Sequence, residues 1–406
     1  MRPLKIIFLI RSNVFTQRGG DTVVVEKTSE ELTKLGHHVT IDIEEKCDPK
    51  EFDIAHLYNF ATPEITEKLA IRCYQRGTPF VVTTLYEDWP RFFLPMLVSD
   101  YFYSCYLNAN QPQNLWPQVE QLLKTVPQGP VQGNYFTAKA ANILLASGEH
   151  EAAVLDRDYQ CKERVEVCYF GSDISPFSDG GELFRAEVAG KSDYLLCVGR
   201  LELRKNQLSL IKALDESSLP IVFATGGFTY QPEYEALCRK LKRKGRNIFL
   251  SRISFELLAS AYEGALAHVL PSWYELPGLV SIEAAARGTR VVASDWGTIK
   301  DYLKDGAHYC EPNNTSSILN SVNLSISNPV NPALRQLGNS YNWSNCGKRT
   351  EEIYEIALSR SRPTVDYVPK EPVLNVKKES IPPEMLPTIK AILAEGYQLL
   401  ISKETN

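Results

Sequence analysis

No run of about eighteen apolar residues occurs anywhere in this chain, the length a helix needs to span a bilayer. The apolar stretch near its start, "IIFLI" at residues 6–10, is too short for a signal-peptide core. A cytoplasmic protein is therefore expected, with peripheral contact at the inner membrane surface left open. Cysteine spacing of the metal or redox kind is also missing. The nine cysteines are scattered, odd in number and never in C-x-x-C, which argues for reduced thiols rather than a disulfide framework or a zinc site. The six histidines offer no H-x-x-x-H pair, so no metal is expected. A net charge of -5 gives none of the basic excess that nucleic-acid binders carry. The dinucleotide fingerprint G-x-G-x-x-G is absent, and no Ser-His-Asp or Cys-His arrangement emerges from spacing.

What is present is an ordinary globular composition, 44% apolar and 23% charged over 406 residues, a length that favours two domains. Apolar, β-rich runs alternate with helical patterns, the signature of parallel sheets covered by helices on both faces. Strands are expected near 4–10, 38–43, 53–57, 78–84, 142–146 and 164–169, and again near 194–198, 220–225, 247–250, 266–270, 290–294 and 307–310. The pattern restarts after the polar, Gly-rich "DISPFSDGGE", which divides the chain into two doubly wound domains, 1–175 and 176–342. A helix over about 343–360 and a Pro-rich tail over 361–406, with a terminal helix from Met385 to Ser402, complete the expected order.

Several segments carry two readings. In "RGGDTVVVEKTSEELTKLGHHVTI", a strand is followed by Gly19 and Gly20 and then by a helix with Asp21 as its N-cap. The glycines serve either a tight turn or the approach of bare backbone to a ligand. Residues 89–137, dense in aromatics but broken by prolines and Asp100, read either as helices filling the core of the first domain or as an acceptor groove or membrane-contacting surface. The acidic pair of "DRD" at 156–158 and the basic "CRKLKRKGRN" at 238–247 read as solvated helix faces, the latter with an anionic membrane surface as its rival. His268 reads as a satisfied core histidine.

The chemistry concentrates in the second half. "LLCVGRLELRKNQLSLIKAL" sets Arg200 and Lys205 in the loop after a buried strand, where parallel α/β sheets bind their ligands. In "PSWYELPGLVSIEAAARGTRVVASD", Pro277 and Gly278 keep Glu275 on a loop and start a helix near Leu279 that carries Glu283 one turn in. The N–H groups of Gly278, Leu279 and Val280 are available to an anion between the two carboxylates. Such carboxylates are costly unless hydroxyls donate to them, as a sugar and a ribose would.

Glu275 and Glu283 form a Glu-x7-Glu motif, and with "GRLELRK" they resemble the donor half of the retaining glycosyltransferases of family 4, which have the GT-B fold. The likeness runs over roughly residues 4–360 through "LGHHVTI", "FDIAHLY", "ILLASGEHE", "YFGSD", "ATGG" and "LSRISFELLASAYEGALAHVLPSWYE". It implies two Rossmann-like α/β domains facing across a cleft, acceptor on the first, nucleotide-sugar on the second, with the 343–360 helix crossing back to the first. By the same resemblance Arg200 and Lys205 hold the donor diphosphate and stabilise the leaving nucleotide, Glu283 accepts from the ribose, and Glu275 meets the donor sugar beside the reacting carbon. Arg252 and Ile253 meet the base, and Gly19 and Gly20 approach the diphosphate and reacting sugar. The implied activity is metal-independent transfer of a hexosyl group, from a UDP-sugar in preference to a GDP-sugar, to a glycan, lipid-linked or small-molecule acceptor. A GT-B enzyme that rearranges or cleaves a nucleotide-sugar, and a non-catalytic nucleotide-sugar-binding subunit, are the alternatives.

The chain departs from the family at four points. A histidine usually follows the strand ending near Thr84, whereas here "VVTTLYEDW" offers Tyr86 or Glu87 as the sugar or acceptor contact. Asn206 stands where glycine is commoner, Ser251 replaces the glycine before Arg252, and Asp301 replaces a frequent glutamate.

Overall fold

The computed structural model describes residues 2–107, 132–174 and 177–370. The chain divides into two compact units. Among described residues, unit 1 takes 2–88, 132–172 and 341–370, and unit 2 takes 89–107, 173–174 and 177–340. The remainder of the aromatic segment and most of the Pro-rich tail, including the expected terminal helix, lie outside the described residues.

Each unit is built on a six-stranded sheet whose strand pairs are all parallel. In unit 1 the strands are β1 (Lys5–Leu9), β2 (His38–Asp42), β3 (Ile54–Tyr58), β4 (Phe80–Thr83), β5 (Ile143–Ala146) and β6 (Val165–Val167), in the order β2-β1-β3-β4-β5-β6. In unit 2 they are β7 (Leu195–Val198), β8 (Ile221–Thr225), β9 (Asn247–Ser251), β10 (Ala267–Leu270), β11 (Val291–Ser294) and β12 (His308–Cys310), in the order β12-β11-β10-β7-β8-β9. The strands fall within two residues of the stretches read from the sequence. Central strands buried on both faces must be apolar throughout, and β4, β5, β7, β10 and β11 are buried at every position.

Strand order sets the ligand edge. The order in which strands are added reverses between β1 and β3 in unit 1 and between β7 and β10 in unit 2, and at such a switch point the loops leaving the two strands part to either side. The unit 1 core runs through Ile7, Leu9, Leu57, Val82 and Leu144. That of unit 2 runs through Leu195, Phe223, Val269, Trp273 and Tyr274.

Three expectations are corrected here. The helix Trp89–Leu107 belongs to unit 2, not to the first domain, and its Phe92 stacks on Tyr274 with ring centroids 5.1 Å apart. Its Phe92, Met96 and Val98 lie in the second core, with Trp89 and Phe93 packed against it. The helix after the glycine pair begins at Gly20 with Gly19 as N-cap, so Asp21 sits inside the first turn and is drawn to Arg11 rather than capping. The basic run 238–247 is a helix face only to Lys240, after which Arg243 turns back to donate to the carbonyls of Leu214 and Ser217.

The helix Trp343–Ser359 belongs to unit 1, where it packs on the helix Gly20–Lys34. Under it lies a buried polar cluster: His56 joins Tyr354 Oη through Nδ1 and Thr83 Oγ1 through Nε2, each at 2.7 Å. Burial pushes the imidazole pKa down to about 3, so His56 is neutral and structural. His268 in β10 is likewise buried, against the Tyr262 ring, and held neutral. None of the described helices is long and apolar enough to cross a membrane.

Candidate functional site

The two loops at the β7–β10 edge of unit 2 are stapled together. Trp273 N–H donates to Arg204 O at 2.9 Å, and Arg204 Nε donates to Tyr274 O at 3.1 Å. Between these straps Lys205 Nζ reaches Glu275 Oε1 at 2.5 Å, so the fold joins two residues seventy positions apart. Both side chains are largely buried, with 19% and 9% of their surface exposed. Burial alone would push the Glu275 carboxyl up, but Lys205, Arg204 and the Ser272 hydroxyl outweigh it and hold the group below the ordinary carboxylate range. Glu275 is thus an ionised acceptor at the edge of the sheet.

Its backbone is held as firmly. Thr298 N–H donates to Glu275 O at 2.9 Å, and Gly297 bridges to Glu275 in parallel fashion. Any side chain on Gly297 would lie 2.2 Å from that carbonyl oxygen, so only glycine fits. Downstream, Leu276–Pro277 is cis and Gly278, at φ +74°, starts the helix Leu279–Ala286. As expected from the sequence, Gly278, Leu279 and Val280 supply the first N–H groups of a helix beside the carboxylate. Glu283 lies on this helix and accepts from Tyr262 Oη at 3.1 Å. Burial pushes its carboxyl pKa up to about 7, with Asp173 adding to the rise and Tyr262 and Arg287 opposing it.

Arg200 stands on the same β7 loop, its Nε 3.2 Å from Glu202 Oε2 and its guanidinium 5.2 Å from the Tyr230 ring centre. The loop after β8 is tied to it: Thr229 Oγ1 donates to Leu201 O and Leu203 N–H donates to Gln231 Oε1. Gln207 Nε2 donates to Arg200 O at 2.8 Å from below. Arg252 follows β9 in the left-handed region, at φ +55°, and lies over Gly227 of the β8 loop, with Ile253 beside it.

At the ligand edge of unit 1, Gly19 and Gly20 have no positive φ and a Cβ on Gly20 would meet nothing within 4 Å. Neither the turn nor packing demands a glycine at position 20. Beside them Arg11 forks onto Asp21 at 2.8 and 3.0 Å, and Asn59 from the β3 loop reaches Asp21 Oδ2 at 3.4 Å.

Tyr86 is turned inward. It is 4% exposed, packs edge-on to Phe60, and donates from its hydroxyl to Asp158 at 2.8 Å. That removes it as a group presented to a sugar, and Glu87, also buried, is left at the position. The same contact corrects the reading of 156–158 as solvated for Asp158, while Arg157 is exposed. Arg157 forks onto Asp88 at 3.0 Å twice and also holds Asp158, because two buried carboxylates need a shared cation. Glu151, fully buried, accepts from Thr84 Oγ1, Tyr86 N–H and both Ser147 donors, and so fixes the loops after β4 and β5.

Sequence reasoning missed Arg204, Gln207, Tyr230, Gly297, Arg11 and Glu151. Their roles arise from contacts between loops distant in sequence, which periodicity does not encode. The left-handed backbone at Asn206, φ +57°, explains the alternation of glycine and asparagine at that position, since both tolerate it.

Residues 182–342 match the family model described as Glycosyl transferases group 1. An uncharacterised glycosyltransferase of Methanocaldococcus jannaschii is 30% identical over 218 residues, 48% of this chain and 55% of that protein. A D-inositol 3-phosphate glycosyltransferase of Streptomyces scabiei is 28% identical over 261 residues, 58% of each. The chain spans about half the length of the curated relatives it matches. Among solved structures, sucrose-phosphate synthase from Thermosynechococcus elongatus is similar with a TM-score of 0.64 and 18% identity, covering 86% of this chain and 98% of that one. HepE of Anabaena in complex with UDP and glucose gives 0.60 and 15%, covering 87% and 99%. The chain thus has the two-sheet α/β GT-B fold, and its residues 182–342 match the model of the glycosyl transferases group 1 family.

Proposed function

We propose that this protein is a retaining, metal-independent glycosyltransferase of family 4 that moves a hexosyl group from a nucleotide-diphosphate sugar, a UDP-sugar before a GDP-sugar. The acceptor, a glycan, lipid-linked sugar or small molecule, is assigned to unit 1. The observation that carries the reading is the Lys205–Glu275 pair at the β7–β10 edge, with Arg200 on the same β7 loop and the helix start at Gly278 next to the carboxylate. The Lys205 ammonium meets the ionised Glu275 carboxylate beside the first turn of the helix that starts at Gly278, and Arg200 stands on the same β7 loop as Lys205, a set that suits a diphosphate bonded to a polyol.

In this reading Arg200 and Lys205 stabilise the charge that grows on the diphosphate as the glycosidic bond breaks. Charge-assisted hydrogen bonds contribute about 1.5–3 kcal/mol each, against roughly 0.3–1 for a helix terminus, so the cations dominate leaving-group stabilisation. Glu275 accepts from donor-sugar hydroxyls near the reacting carbon, and Glu283 from the ribose. Arg252 and Ile253 flank the base. On unit 1, Gly19 and Gly20 offer bare backbone next to the Asp21 carboxylate, a neighbour that favours sugar hydroxyls over phosphate.

The test is a thermal-shift screen against UDP-, GDP- and ADP-sugars, since a ligand at one hundred times its Kd stabilises by about 2.7 kcal/mol. A melting temperature unmoved by all of them overturns the donor site. Steady-state kinetics then separate the roles: Lys205→Ala lowers kcat and kcat/KM together, while Glu283→Ala mainly raises the donor KM. The reverse pattern refutes the assignment, and donor turnover without acceptor identifies a hydrolase or isomerase instead.

A further inference from the structure

Immediately after Lys205, Asn206 is 2% exposed and adopts φ +57°. Its Nδ2 donates to two carbonyls that lie far apart in sequence, Pro271 O at 3.0 Å and Pro312 O at 2.8 Å. Pro271 follows the end of β10 and leads into the loop that carries Glu275; Pro312 follows the end of β12. Its backbone is engaged as well, N–H to Leu203 O and O from Leu210 N–H, so the residue closes the β7 turn and opens the helix Gln207–Ala213.

This combination is selective. The left-handed backbone admits glycine and asparagine at little cost. Of these two only asparagine brings an N–H2 group, and here both hydrogens have an acceptor. The carboxamide therefore tethers the turn bearing the cation to the strand end that leads to the carboxylate, with a second tether to the neighbouring β12 loop.

We propose that Asn206 is a positioning residue for the Lys205–Glu275 pair, setting the separation of cation and carboxylate by joining the β7 turn to the ends of β10 and β12. The proposal rests on the reading that this pair acts on the donor, and it is tested in two arms that separate the two. Asn206→Gly keeps the backbone conformation and removes both tethers; Asn206→Asp keeps shape and φ but presents oxygen to both carbonyls.

The first arm needs no donor. Urea unfolding of the full chain is compared for Asn206→Gly in the wild-type background and in a Lys205→Met/Glu275→Gln background, where no ion pair remains to be positioned. A larger drop in the unfolding midpoint in the wild-type background is expected, and equal drops in both overturn the proposal, since they describe a purely structural hydrogen bond. The second arm follows transfer from UDP-glucose in the presence of glycan, lipid-linked and small-molecule acceptors, and the binding of UDP. Asn206→Gly is expected to bind UDP within twofold of wild type, to lose about tenfold in kcat and to move the acid limb of kcat/KM to higher pH, with Asn206→Asp more severely affected. A wild-type kcat and an unmoved acid limb in Asn206→Gly overturn the proposal. If the wild-type chain neither binds UDP nor transfers glucose from UDP-glucose to any of these acceptors, the functional reading fails, and the urea arm alone decides the role of Asn206.

Discussion

Replacing Lys205 with methionine keeps the bulk of its stem and removes its charge, leaving the Glu275 carboxylate buried with Arg204 and Ser272 beside it. At 2.5 Å and an effective dielectric of about 20 the lost attraction is about 7 kcal/mol. The carboxylate escapes most of that loss by taking a proton. From an unfolded pKa of about 4.3, holding a proton at pH 7 costs about 1.36 kcal/mol per unit over 2.7 units, or about 3.7 kcal/mol. The expected destabilisation is therefore about 3–4 kcal/mol at pH 7, in line with the roughly 3–5 kcal/mol seen when one partner of a buried pair is removed. The pH dependence gives the sharper signature. In the wild type the depressed Glu275 contributes stability that is present above about pH 4.3 and is lost as pH falls through its folded value. In the variant the folded pKa lies above the unfolded one, so stability falls as pH rises from about 4.3. The difference between the two proteins should shrink to about 1 kcal/mol at pH 5. Urea unfolding followed by tryptophan fluorescence reads this, with Trp273 and Trp296 both in the core of unit 2. Because the chain has two units, the transition of unit 2 is the one to analyse. The double variant Lys205→Met/Glu275→Gln should recover much of the loss. A penalty below about 1 kcal/mol at pH 7, or one that is flat from pH 5 to pH 7, refutes the buried ion pair.

Glu283, with its pKa pushed up to about 7, should make donor binding tighten about tenfold between pH 6 and pH 8 as it ionises, and Glu283→Gln should flatten that profile in calorimetry. Because its folded value is raised, its contribution to stability is greatest below about pH 4.3 and is lost as pH rises through about 7, a slope that the same variant should remove. Tyr230→Ala should lower kcat/KM about threefold through loss of the cation–π contact with Arg200, while Tyr230→Phe keeps the ring and the rate; equal losses in the two would point to the hydroxyl instead. Arg157→Leu should destabilise unit 1 by about 2 kcal/mol, or roughly 4–8 °C in calorimetry, since it strips Asp88 and Asp158 of their shared cation. Arg157→Lys should restore only part of that, because an ammonium cannot fork.

The sheets were legible because a strand buried on both faces has to be apolar along its length, and "IIFLI", "FVVT" and "YLLCV" are such runs whatever surrounds them. The positions of Arg200, Lys205 and Glu275 were legible for a related reason, since loops at the carboxyl ends of parallel strands form the ligand edge and those loops could be located once the strands were. Composition could not assign the helix Trp89–Leu107 to a unit, because its aromatics suit either core; the choice rests on tertiary contacts such as Phe92 on Tyr274. It likewise could not tell that Tyr86 turns inward to Asp158, or that Asp158 is a partner rather than surface.

The sequence by itself determined the local quantities: where strands and helices run, which loops follow them, and which side chains those loops can offer. The tertiary structure alone decided the pairings. Strand order β10-β7 brings Lys205 beside Glu275, and only that adjacency lets a lysine hold a buried carboxylate ionised. The physical reason is that helix and strand formation depend on residues a few positions apart, whereas the charge state of a buried group depends on whatever the fold carries to within a few ångströms of it.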